Sequence, residues 1–148
     1  MEAFLFIIFF ATCCVAASTG MLFPTGEWYK SLKKPFWTPP DWLFPIAWTV
    51  FYTDLAYCGS RIAGIDNNGL AIGFWALHLC INTLWTPVFF GLKRIKAGML
   101  IMILLWISTV FLILFTFKLD IVTGWIILPY IVWVSYAAAL NFSLLLKN

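Results

Sequence analysis

Lys34-Pro35-Phe36-Trp37-Thr38-Pro39-Pro40-Asp41-Trp42 is the stretch on which the fold of this chain turns. It lies within Pro24–Pro45, a segment holding five of the seven prolines, three of the nine tryptophans and three lysines. Proline fixes its own φ and drives the preceding residue out of the helical region, so the segment cannot continue a helix. The chain on either side is almost continuously apolar. The segment is therefore a stiff, non-helical cap at a bilayer surface. Its aromatics and lysines suit a flat, apolar ligand that carries some negative charge.

Working outward, 64% of the 148 residues are hydrophobic and only 10% are charged, far from the balance of a soluble domain. A helix needs about 20 apolar residues to cross a bilayer, and five stretches qualify: 4–23, 43–61, 70–90, 97–117 and 122–146. They leave no room for a soluble unit beside them. The expected fold is an all-α membrane protein, a single domain over 1–148. It is a bundle of five transmembrane helices with a long proline- and aromatic-rich loop between the first and second. The apolar runs are continuous rather than alternating, which excludes a β-barrel. The first run lacks a basic leader, its one early charge being Glu2, and it exceeds the apolar core of a signal peptide, so it reads as a retained helix.

Charge sets the expected orientation. With five crossings, loops one and three and the carboxyl terminus share a side, and that side collects Lys30, Lys33, Lys34, Lys93, Arg94, Lys96 and Lys147, seven of the nine basic residues. Arg61 and Lys118 fall opposite. The positive-inside rule then makes loop one and the carboxyl terminus cytoplasmic and the amino terminus external. The net charge of +3 is a topology signal and no sign of nucleic-acid binding; the basic runs are juxtamembrane anchors toward lipid headgroups. Helical spans favour an inner membrane.

Cys13, Cys14, Cys58 and Cys80 all fall within spans and lack the paired spacing of a zinc site; they read as small hydrophobes. No metal site is expected, and no P-loop or Ser-His-Asp set is present. No internal repeat is visible, which argues against a small transporter.

Depth points to a site. The second span enters from the side of loop one, so Trp48 and Tyr52 lie five to nine residues below that surface. The third span exits there with Asn82 and Trp85, the fifth with Ala137 and Asn141 and, a turn deeper, Trp133. At about 1.5 Å per residue most of these positions lie roughly 8–15 Å beneath the cap. Trp42 and Trp125 fit an interfacial belt; Trp48, Trp85 and Trp133 fit a pocket with a few polar groups. Asn82 and Asn141 serve either that pocket or helix packing. Asp54, in the middle of the second span, is a candidate functional acid, a buried protonated acid or half of a water-linked pair. His78, the one histidine, reads mainly as a locally hydrogen-bonded side chain. Gly69 and Gly73 form a GxxxG pair that suggests a dimer seam.

These residues resemble the TspO/translocator-protein family, also called tryptophan-rich sensory proteins or peripheral benzodiazepine receptors, and most closely its bacterial members. The resemblance rests on Trp28-Tyr29, on Lys34-Pro35-Phe36-Trp37-Thr38-Pro39-Pro40, and on Phe44-Pro45-Ile46-Ala47-Trp48 running to Tyr52. It continues through Asn82-Thr83-Leu84-Trp85-Thr86-Pro87-Val88-Phe89-Phe90-Gly91, then Pro129-Tyr130, Trp133, Ala137 and Leu140-Asn141.

The resemblance implies a five-helix bundle, commonly a homodimer, that binds protoporphyrin or a related tetrapyrrole and synthetic isoquinoline or benzodiazepine ligands beneath loop one. It requires no cofactor, and its members occupy inner and outer membranes. It implies ligand contacts from Trp28, Phe36, Trp37, Trp48, Tyr52, Asn82, Trp85, Trp133, Ala137, Leu140 and Asn141, with Lys30, Lys33 or Lys34 near the propionates. A second implied activity is light-driven porphyrin breakdown, with Trp28 and Trp133 as the candidate catalytic residues. Two departures stand out. Phe36 replaces a tryptophan of some bacterial members, and the carboxyl-terminal sterol pattern has Phe142 and a longer gap before Lys147.

Overall fold

The computed structural model describes residues 2–148. Those residues form an all-helical structure: α1 (Glu2–Leu22), α2 (Glu27–Ser31), α3 (Leu43–Ala63), α4 (Gly69–Thr86), a π-helical turn (Pro87–Gly91), α5 (Ile95–Leu119) and α6 (Ile121–Lys147). The chain closes a ring in which α1 packs on α3, α3 on α6, α6 on α5, α5 on α4 and α4 back on α1. Contact is most extensive between α5 and α6.

Four helical segments are long and apolar enough to cross a membrane: Glu2–Leu22, Gly69–Gly91, Ile95–Leu119 and Ile121–Lys147. The stretch expected as the second span, 43–61, does form a helix of 21 residues, α3, yet it falls outside this set. The cause is compositional: Thr49, Thr53, Asp54, Ser60 and Arg61 dilute its apolar run. Its hydroxyls are satisfied locally, Thr49 donating to Pro45 O at 2.7 Å and Thr53 to Thr49 O at 2.8 Å, a bond that lets such residues sit in an apolar setting.

The cap also departs from expectation. A wholly non-helical segment was expected between Pro24 and Pro45, but Glu27–Ser31 forms the short helix α2. No proline lies between Pro24 and Pro35, so nothing blocks one helical turn there. The fixed backbone is confined to Pro35–Pro40, where Thr38 N–H closes a turn on Pro35 O at 3.1 Å.

Side-chain packing explains the helix spacing. Gly59 leaves a notch on α3 in which a Cβ would meet Phe9 and, at 2.9 Å, Trp75; three helices converge there. Trp75 Nε1 donates to Leu55 O at 2.8 Å, closing the α3–α4 contact. Opposite the cap, Arg61 reaches Glu2 at 3.6 Å and Asp120 at 3.5 Å, and Asp120 caps α6 by accepting from Val122 N–H. Asp54 is half-buried and not part of this ion network.

Candidate functional site

The cap is held to the bundle by backbone and aromatic contacts. Tyr136 on α6 donates its hydroxyl to Trp37 O at 2.7 Å, and their rings meet edge-on at 5.6 Å. Asn148 accepts from Lys33 N–H at 2.9 Å and donates to Lys33 O at 3.2 Å. Burial pushes the Tyr29 phenol above its ordinary range, with Asp41 and Tyr136 adding to the shift, and Lys34 Nζ lies 4.1 Å above the Tyr29 ring. Lys30 pairs with Glu27 at 2.8 Å. The three cap lysines are thus differently engaged.

Below the cap lie two aromatic groups. In the first, Trp133 on α6 meets Trp48 at 6.2 Å and Phe44 at 6.1 Å edge-on, stacks with Phe51 at 5.8 Å, and lies 5.9 Å from Tyr136. Trp48 in turn lies 5.7 Å from Tyr52. In the second, Trp85 stacks on Phe89 at 5.0 Å, and Phe89 meets Trp28 edge-on at 5.6 Å. Leu144 and Tyr29 bury the same cluster.

Trp133, Ala137 and Asn141 follow one another at four-residue intervals on α6, so they form a stripe along one face. Asn141 reaches the second aromatic group: a Cβ on Gly98 would lie 2.8 Å from Phe89 and 3.6 Å from Asn141 Nδ2. Four buried polar atoms at this level have no hydrogen-bond partner within the described chain: Trp85 Nε1, Trp133 Nε1, and both Nδ2 and Oδ1 of Asn141. Such atoms are rare in native interiors. Each costs about 1–3 kcal/mol when left unpaired.

Of the sequence-derived contact residues, Trp37, Trp48, Tyr52 and Trp133 come together in the first group and Trp28 and Trp85 in the second. Leu140 and Asn141 are buried, and Ala137 packs against the main core. Trp28 and Trp133 belong to separate groups. Phe36 does not join them; it projects from the cap and is 99% exposed. Two shallow grooves, of about 260 and 300 Å³, are lined by Ile103, Trp106, Ser135 and Ala138 and by Pro45, Ile46, Thr49 and Val50, none of them expected contacts.

Sequence reading missed Phe44, Phe51, Phe89 and Tyr136 as members of the frame. It also missed Tyr130, whose hydroxyl lies 3.0 Å from His78 Nε2 and 3.4 Å from Asn82 Nδ2. Tyr130 shares a helical face with Trp133 and Ala137 at spacings of three and seven, a signal present in the sequence. Ser108 and Thr109, which meet His78 Nδ1 at 3.1 and 3.3 Å, had none. They sit in the middle of a uniformly apolar run. Among the described residues no group of His, Cys, Asp or Glu side chains could hold a metal ion.

Comparison with known proteins identifies the family of the chain. Residues 5–146 match the TspO/MBR family. The chain is 44% identical to protein CrtK of Rhodobacter capsulatus, over 97% of this chain and 92% of that one. It is 39% identical to the tryptophan-rich sensory protein of Cereibacter sphaeroides, over 100% and 94%. The translocator protein of Homo sapiens is 25% identical, over 83% of this chain and 78% of that protein. The chain belongs to the TspO/MBR family.

Proposed function

We propose that this protein is a five-span membrane sensor or translocator that binds a tetrapyrrole, protoporphyrin or a close relative, beneath the cap. In this reading α3 is the fifth span, shielded by α1 and α6, and the carboxyl terminus and cap face the cytoplasm, as the basic residues require. The names of the relatives in Cereibacter sphaeroides and Homo sapiens support a sensory or translocator role.

The observation that carries the proposal is the set of unpartnered polar atoms on Trp85, Trp133 and Asn141 inside an aromatic frame. A flat macrocycle offers ring area to Trp37, Trp48 and Trp133 and polar atoms to these unpartnered groups. Its carboxylates would reach Lys30, Lys33 or Lys34 at the surface. The rings of the frame pack on one another, so a ligand would enter by a shift of Trp48, Trp133 or the cap, a rearrangement that a shallow, hydrogen-bonded cap permits. The same site would admit planar isoquinoline or benzodiazepine compounds, and a second copy would pack through Gly69 and Gly73.

Titration of the purified protein with protoporphyrin in darkness and under illumination tests this. Saturable quenching of porphyrin and tryptophan fluorescence, stable in both conditions, is the expected result. No saturable binding would end the tetrapyrrole reading. Loss of the macrocycle spectrum under light would convert it into an enzyme of porphyrin breakdown.

A further inference from the structure

His78 is the one histidine of the chain, it is fully buried, and every polar atom around it can be assigned a direction. Ser108 Oγ and Thr109 Oγ1 each donate to Leu105 O at 2.8 Å. A hydroxyl has a single hydrogen, so toward His78 Nδ1 both can act only as acceptors, at 3.1 and 3.3 Å. Nδ1 therefore carries the proton. Nε2 then offers a lone pair and accepts from the Tyr130 hydroxyl at 3.0 Å. That leaves the Tyr130 oxygen to accept from Asn82 Nδ2 at 3.4 Å. Each of these donors has an acceptor.

The alternatives break something. An imidazolium would leave the fully buried Tyr130 hydroxyl hydrogen without an acceptor unless the Asn82 amide turned over and gave up its own bond, and among the described residues no carboxylate bonds to His78. The reversed tautomer needs Ser108 or Thr109 to abandon Leu105 O and the Asn82 amide to turn over. Both lose bonds in an interior where an unpaired polar group is costly.

The direction of this chain has a consequence at its far end. Asn82 spends an amide hydrogen on Tyr130, so its Oδ1 is the end of the amide turned away from that hydroxyl. Asn82 lies one helical turn from Trp85, whose Nε1 is one of the unpartnered donors. We infer that His78 is a positioning residue: as a neutral, Nδ1-protonated imidazole it fixes the direction of the His78–Tyr130–Asn82 chain, so that Asn82 presents a carbonyl acceptor and the site selects ligands bearing an N–H or O–H donor at that point. The ligand part of this inference rests on the binding reading above; the direction of the chain does not.

Because there is one histidine, a long-range proton–nitrogen spectrum of the full chain labelled with ¹⁵N-histidine reports this imidazole alone. At pH 7 Nδ1 should appear protonated and Nε2 unprotonated. A protonated Nε2 in any major population overturns the inference. For ligand binding, His78→Gln keeps an N–H toward the hydroxyls and a carbonyl toward Tyr130, whereas His78→Leu keeps neither and frees the Tyr130 hydroxyl to turn onto Asn82 Oδ1. Protoporphyrin affinity should stay within about twofold in His78→Gln and fall about tenfold in His78→Leu, the worth of a buried hydrogen bond. Equal losses in both, or native affinity in His78→Leu, would remove the positioning role. If the native protein binds no protoporphyrin, the functional reading fails while the spectrum still decides the direction.

Discussion

The Tyr136 hydroxyl donates to the carbonyl oxygen of Trp37 at 2.7 Å, across 99 residues of sequence. It joins α6 to the one part of the cap whose backbone the prolines hold rigid. Tyr136→Phe keeps the ring against Trp37 and Trp133 and deletes this bond alone, at a cost of about 1 kcal/mol. Amide exchange across 33–42 should then quicken by about fivefold with little change in global melting, because the loss is confined to a local opening. Unchanged exchange would mean that the Lys33–Asn148 bonds hold the cap without it.

The tryptophans should separate by place. Trp133 touches four aromatic rings and Trp48 two, whereas Trp125 is 63% exposed and meets Phe117 alone. Replacing Trp48 or Trp133 by Ala should weaken protoporphyrin binding about thirtyfold, the effect of losing about 2 kcal/mol at a hot spot. Trp125→Ala should bind like the native chain. Equal affinities in folded variants would place the ligand outside the bundle.

Gly69 and Gly73 offer an unusually clean test of self-association. A Cβ at either position would meet nothing within 4 Å, so larger side chains fit the protomer without disturbing it. Changing both to Leu should leave the melting temperature intact and shift a dimer toward monomer in mild detergent, because close helix approach is lost. A variant that stays dimeric moves the seam to another face.

At the surface opposite the cap, Asp120 should set the acid limit of stability. The Thr123 hydroxyl, the Val122 N–H and Arg61 hold its carboxyl below the ordinary range, the Thr123 bond contributing most. A depressed value in the folded state means that the stabilisation is complete above the unfolded-state value of about 4 and is lost as pH falls through the folded-state value. Melting temperatures measured from neutral pH down to about 3 should fall more steeply in the native chain than in Asp120→Asn. Parallel profiles would assign acid sensitivity to another carboxylate.

Long apolar runs made the helices legible, because hydropathy and length are properties of the chain alone. The runs 97–117 and 122–146 match α5 and α6 to within a few residues. The α2 turn is not legible from the prolines, because proline acts only on itself and the residue before it and leaves 27–31 free to coil. At the site, Trp48, Tyr52 and Trp133 were visible from depth. Phe89 and Tyr136 were not, since a ring inside an apolar run carries no mark of which neighbour it will meet. Ser108 and Thr109 were hidden for the opposite reason: their hydroxyls bond back to Leu105 O, so the sequence shows two polar residues and gives no hint that they orient a histidine on another helix.

The π-helical turn at Pro87–Gly91 works as a phase shifter. In an uninterrupted α-helix each residue advances the direction of its side chain by about 100°, and a widened turn absorbs one extra residue without breaking the rod. Leu92 N–H bonds to Pro87 O at 2.8 Å, five residues back, so residues beyond the turn are rotated relative to the α4 face that carries Asn82 and Trp85. Phe89 and Phe90 lie within this rotation and are the rings that receive Tyr29 and Trp28 from the cap. The seat of the cap is thus written in angle as well as in composition. Removing any one residue from 87–91 would preserve most of the aromatic inventory and aim it elsewhere.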